Sequence, residues 1–317
     1  MKILKITTIT IFLFLLFLAI GSYFYLDKKF TPPPNYLSLS KTNDSIPITW
    51  LTNEANQRAA LLLPIQIKGV RKQFYMQFDL GSHSTLFYSM AIESINKRNG
   101  ELIPIDSTNI LKTFAFNLGE IMVSADQFRV IDYGEEINWQ DTTSLNIIGT
   151  IGADLIEHKP IVLDFKNSYC ILGKTAADFD PNLDLLDFKF EKRRVLLPAI
   201  INGEPTELLF DSGTSGFEFI TDKKTWQQMA KPNTTEINYD VNSWGRTLTV
   251  HDIGSDNVIF FGKTGIGLNR VSYIESTSFI QNLLMRLSGM GGMIGNELFK
   301  EKVLILDCTN EKFVVVD

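Results

Sequence analysis

The chain has 317 residues, 44% of them hydrophobic and 21% charged, and 30 basic against 36 acidic residues leave a formal net charge of −6. That length suggests about two domains, the apolar content excludes disorder as the main state, and the acidic balance offers no electrostatic footing for a nucleic-acid partner. Two cysteines exclude a disulfide scaffold and a cysteine-rich zinc site, and three scattered histidines, His83, His158 and His251, exclude a His-based metal cluster, so neither a metal nor a cofactor is expected.

Residues 6–26 carry no charge, with Lys2 and Lys5 before them and Asp27, Lys28 and Lys29 after. At about 1.5 Å per residue such a helix reaches ~32 Å, enough to cross a hydrocarbon core. A cleaved signal peptide also fits, with Ala19-Ile20-Gly21 as a small-x-small site. The apolar run continues through Tyr23-Phe24-Tyr25-Leu26, and its aromatic end favours an uncleaved transmembrane anchor over residues 1–30. Either reading puts the globular part outside the cytoplasm. Residues 31–45, with Pro32-Pro33-Pro34, read as a stiff spacer, and the folded body is expected from about residue 46.

The body is written twice. Leu62-Leu63-Pro64 leads through a short turn to Phe78-Asp79-Leu80-Gly81-Ser82, and Leu196-Leu197-Pro198 leads likewise to Phe210-Asp211-Ser212-Gly213-Thr214. The ends of the two segments also match. Ile151-Gly152-Ala153-Asp154-Leu155 runs on to Asp164, and Ile294-Gly295-Asn296-Glu297-Leu298 runs on to Asp307, with 12 residues from glycine to aspartate in both. A polar turn and an apolar run follow each aspartate, which is a hairpin signal. Two related lobes are therefore expected, residues 46–173 and 188–317, joined by an acidic connection at 174–187 that carries Pro181.

Strand-like periodicity dominates at residues 122–133, 195–201, 257–261 and 303–316, and short helices are expected at 89–99, 222–231 and 276–288, which makes the class mainly β. Residues 289–293, Gly289-Met290-Gly291-Gly292-Met293, read as a loop. Cys170 and Cys308 lie in apolar strands and read as buried thiols. His158 reads as part of an exposed turn. Gly262-Lys263-Thr264 lacks the earlier glycine of a phosphate loop, and Gly265-Ile266-Gly267 lacks the third glycine of a dinucleotide fingerprint. His251-Asp252 has no serine elbow to serve.

Each half thus drives an apolar strand into an aspartate followed at once by a glycine turn. A carboxylate there costs desolvation unless it is hydrogen-bonded, and glycine allows close backbone approach. One Asp-x-Gly is an ordinary turn. Two at matching positions of a repeat can face each other, share a proton and activate a water.

These motifs resemble the pepsin-like and retropepsin-like aspartic proteases. Asp211-Ser212-Gly213-Thr214 matches the Asp-Thr/Ser-Gly-Thr/Ser pattern of that family, and Ile151-Gly152 and Ile294-Gly295 resemble the hydrophobic-Gly element behind each active-site loop; Gly149 also fits that element by sequence. The resemblance spans residues 60–173 and 195–317. It implies a bilobal acid-protease fold, Asp79 and Asp211 as the catalytic pair, and Gly81, Ser82, Ser212, Gly213 and Thr214 in supporting loops, with Ser82 and Thr214 orienting the outer carboxylate oxygens. It also implies a peptide or unfolded-protein substrate cut by a monomeric chain, which the uncharged N-terminal segment would anchor to a membrane. Leu80 stands where the family has a hydroxyl that braces one loop on the other, and the flap is expected between residues 109 and 122, at 117–119, without its tyrosine. A protease-like domain that binds peptides without cutting them is the alternative, and a structural role for both turns is a third reading.

Overall fold

The computed structural model describes residues 31–317 except 55, 244 and 276–289, together with residues 21 and 28. Among the described residues no helix is long and apolar enough to cross a membrane. The anchor expected at 6–26 lies, Gly21 apart, outside the described residues, as does the helix expected at 276–288.

From Asn35 onward the chain is mainly β, and both halves follow one plan. In the first half Ala60–Gln66 pairs antiparallel with Phe74–Phe78, and Phe74–Phe78 runs parallel to Ile147–Ile151. In the second, Arg194–Ile201 pairs antiparallel with Glu204–Phe210, which runs parallel to Met290–Ile294. Each parallel pair has a register shift at the corresponding place, Tyr75/Met76 and Glu207/Leu208. Burial alternates along Phe74–Phe78, so Phe74, Met76 and Phe78 enter the core while Tyr75 and Gln77 stay half-covered.

A six-stranded sheet takes strands from both halves. Its centre is Pro160–Asp164 against Val303–Asp307, each continued by its own hairpin partner, Tyr169–Leu172 and Lys312–Val316. The central register is symmetric about Val162 and Ile305: Pro160 faces Asp307, and Asp164 faces Val303. The connection at 174–187 is partly ordered. Thr175 and Asp178 form a reciprocal cap on the short helix Ala176–Phe179, and Leu186–Asp187 pairs with Lys312–Val316.

Other expectations meet the structure unevenly. The helix Ser89–Asn99 buries Ala91, Ile92 and Ile95 and stops at Gly100, whose φ is 68°. The helix expected at 222–231 spans only Lys223–Gln228, capped by the Asp222 carboxylate on the Lys224 and Thr225 amides; Pro232 disfavours helical backbone at Lys231, whose amide turns to Gly254 instead. Residues 303–316 split at Asp307 into two strands. Both cysteines are free and buried.

Three expectations need correction. The body begins at Asn35, not at 46: Leu37–Leu39 adds an edge strand to Ile121–Ile131, and Ser45–Pro47 adds one to Tyr169–Leu172, because each receiving edge otherwise leaves its amides and carbonyls unpaired. The expected loop at 289–293 is, from Met290, a strand. Its glycines admit neighbours that a side chain would strike, since a Cβ on Gly292 would lie 2.5 Å from the Ile220 carbonyl. Residues 117–119 are not a free flap. Leu118 pairs with Ile65 and is buried, and the Glu120 amide donates to Asp44 at 2.8 Å. Preceding that hairpin the first half has only the tight turn Asp106–Asn109, whereas at the corresponding stage the second half carries a long hairpin, Ile237–Ser243 on Arg246–Gly254.

Candidate active site

Both motif strands end in the same way. The Asp79 amide donates to the Ile151 carbonyl and the Asp211 amide to the Ile294 carbonyl, each at 3.0 Å, so each aspartate leaves its strand beside a glycine element. Gly152 and Gly295 back the two loops at equivalent places. A Cβ on Gly152 would lie 2.6 Å from the backbone of Ser84, and one on Gly295 would lie 2.0 Å from the Thr214 carbonyl. Gly149 instead sits within the parallel strand, against the Leu86 carbonyl.

The two loops meet. Gly81 N–H donates to Asp79 Oδ1 at 2.9 Å and to Asp211 Oδ1 at 3.1 Å, so one amide serves carboxylates 132 residues apart in sequence. Gly213 N–H donates to Asp211 Oδ1 at 2.8 Å. The approach is reciprocal: a Cβ on Gly81 would lie 2.5 Å from Asp211 Oδ2, and one on Gly213 would lie 2.4 Å from Asp79 Oδ1. Only glycine leaves that space open.

Burial drives the Asp79 carboxyl upward, to about 8, and the adjacent Asp211 carboxyl adds to the rise; amides of Ser82 and Gly81 oppose it. Burial raises Asp211 as well, against bonds from Gly213, Asp79 and Gly81. Like charges this close cannot both ionise at low cost, so the pair favours sharing one proton over a range of pH.

The hydroxyls act differently from expectation. Ser82 Oγ donates to the Ser84 carbonyl and Thr214 Oγ1 to the Asp211 backbone carbonyl, neither to a carboxylate oxygen. Backbone amides reach the carboxylates instead, Ser82 N–H at 3.1 Å from Asp79 Oδ1 among them, because each turn folds its N–H groups inward onto the side chain that starts it. Ser212 does the bracing. Its buried hydroxyl accepts from the Leu80 amide at 2.9 Å and donates to the Phe78 carbonyl at 2.9 Å. Leu80 offers its amide to this brace while its side chain is buried in the core, so the brace runs in one direction only.

Several supporting residues went unassigned from sequence. Asp154, two residues after Gly152, accepts from the Thr85 amide and hydroxyl, both at 2.8 Å. Asn296, next to Gly295, donates to the Ser212 carbonyl at 3.0 Å and to Ser215 Oγ at 2.9 Å. Their position beside the repeat glycines was the available signal. Asn56 reaches from the first half to the Gly216 carbonyl at 2.6 Å, and Arg193 reaches from the second to the His83 carbonyl at 3.0 Å while pairing with Glu157 at 2.9 Å. Arg193 lies in the basic run Lys192-Arg193-Arg194 and is buried. Among the described residues no group of acidic, His or Cys side chains is arranged to hold a metal ion. The chain matches no protein-family model and no curated protein.

Proposed function

We propose that this chain is an aspartic-type endopeptidase with a bilobal, pepsin-like arrangement, tethered to a membrane through residues 6–26 with its lobes outside the cytoplasm. Its substrates are extended or unfolded peptide segments. The observation that carries the reading is the reciprocal contact of the two loops, in which Gly81 N–H bonds both carboxylates.

A pair holding one proton can do both halves of amide hydrolysis. The ionised carboxyl takes a proton from water as the water oxygen bonds to the scissile carbonyl carbon. The protonated carboxyl gives its proton to the carbonyl oxygen. On collapse of the tetrahedral species the C–N bond breaks, the nitrogen takes the proton that the first carboxyl received, and one hydroxyl of that species returns its proton to the other carboxyl as the acid C=O forms, leaving an acid, an amine and a pair that again holds one proton. Fixed amides from Gly81, Ser82 and Gly213 hold the carboxylates in place, so little reorganisation accompanies the charge movement.

The test is hydrolysis of an unfolded protein by the full chain in detergent. Asp79→Asn and Asp211→Asn should each lower the rate by about 10³-fold or more; cleavage at the parent rate in either variant overturns the mechanism. A non-cleaving peptide-binding domain is the second reading, favoured by Leu80 and by the short Asp106–Asn109 turn. It predicts saturable peptide binding with no hydrolysis by the parent chain.

A further inference from the structure

Beside the carboxylate pair stands a basic cluster that the proposed mechanism does not use. His83 follows the Asp79 loop directly. Arg194 opens the strand Arg194–Ile201, whose register sets Val195 against Phe210, so Arg194 begins where the partner strand runs out into Asp211. The two residues therefore come from opposite halves, His83 just after the Asp79 loop and Arg194 at the strand paired with the one that ends at Asp211. Arg193 joins them through its bond to the His83 carbonyl and a longer one, 3.4 Å, to Ser84 Oγ.

The charges in this cluster do not balance. Glu157 takes Arg193. Arg194 forms no ion pair among the described residues, and its Nε is buried without a partner, as are Arg193 Nε and His83 Nε2. Burial, and then Arg194 and Arg193, disfavour a proton on His83. A half-buried guanidinium with no counter-charge and an unfilled donor is costly unless an acceptor arrives. Guanidinium favours a carboxylate as that acceptor, because its fork matches two oxygens.

We infer that Arg194 and His83, backed by Arg193, form a subsite for a substrate carboxylate: an acidic side chain, or the terminus of a short peptide. This deepens the peptidase reading and rests on it. His83 is four residues from Asp79, at most roughly 13 Å along the chain. An extended peptide advances about 3.4 Å per residue, so the carboxylate belongs within about four residues of the scissile bond.

Binding tests this apart from catalysis. The full chain carrying Asp79→Asn is titrated with fluorescent peptide pools: an amidated pool with Glu scanned through the four positions on either side of an apolar pair, its Gln counterpart, and the Gln pool with a free terminus. The Glu pool, the free-terminus pool or both should bind about tenfold tighter than the amidated Gln pool, by a margin that shrinks with added salt; which of the two gains separates side chain from terminus. Arg194→Gln should bring the ratio near one, and Arg194→Glu should turn the preference toward a Lys pool. Equal binding of all pools overturns the inference, as does a preference that both Arg194 variants retain. A folded but non-cleaving parent that still prefers the carboxylate overturns only the peptidase reading.

Discussion

Ser212 shows how much one hydroxyl can hold. It joins the two aspartate loops through the Leu80 amide and the Phe78 carbonyl, and it is fully buried. Ser212→Ala leaves a buried donor and a buried acceptor unpaired, which should cost about 2–4 kcal/mol in chemical denaturation. A loss below about 0.5 kcal/mol would show that the brace is dispensable. Charge at the pair gives a second residue-scale expectation. A carboxyl whose folded pKa is raised contributes stability that is complete below its unfolded value, near 3.9, and is lost as pH climbs through the folded value, here about 8. Asp79→Asn removes that loss, so the Tm of the variant relative to the parent should rise between pH 4 and pH 8; a flat or falling difference contradicts the raised pKa. In sequence, the aspartates, the glycines and the oddity of Leu80 were all legible. That Ser82 and Thr214 spend their hydroxyls on backbone carbonyls was not, because side-chain bonding inside a tight turn depends on dihedral angles that residue identity leaves open.

Elements meet at this site in crossed pairs. The turn bearing Arg193, where Lys192 and Arg193 both take positive φ, crosses from the second half to the loop after Asp79, and the turn bearing Asn56 crosses from the first half to Gly216. Arg193→Ala empties a buried site and strands Glu157, which is only partly exposed, so about 2–4 kcal/mol should be lost, while Glu157→Gln, which keeps a hydrogen-bond acceptor, should lose less. Equal and small losses in urea titrations would mean that the pair contributes nothing. Elements were readable where periodicity is strong, as at 89–99, which the structure gives as the helix Ser89–Asn99. The strand Met290–Ile294 was not, since glycine-rich sequence has neither period nor β-branching, and its state is decided by the neighbour it lies against.

Across the whole molecule the halves share a sheet centred on Val162 and Ile305. Strands paired across the halves in this way tie the two repeats into one cooperative body from Asn35 to Asp317. Heating should give one calorimetric transition with equal calorimetric and van't Hoff enthalpies, and Ile305→Ala, a fully buried truncation, should lower it by the equivalent of about 2–4 kcal/mol. Two resolved transitions, with only one shifted by Ile305→Ala, would mean that the repeats fold independently. By itself the sequence determined the β class, the internal repeat, the paired glycine turns and the glycines behind them, because strand period and turn chemistry are local and are written in adjacent residues. Only the tertiary structure decided that the Asp79 and Asp211 loops touch, that Arg193 and Asn56 cross between halves, that residues 35–47 belong to the folded body and that the hairpin tip at 117–119 is pinned. Those outcomes rest on pairings between segments a hundred or more residues apart in several cases, and such pairings depend on which edges and buried polar groups remain unsatisfied once every other strand is in place.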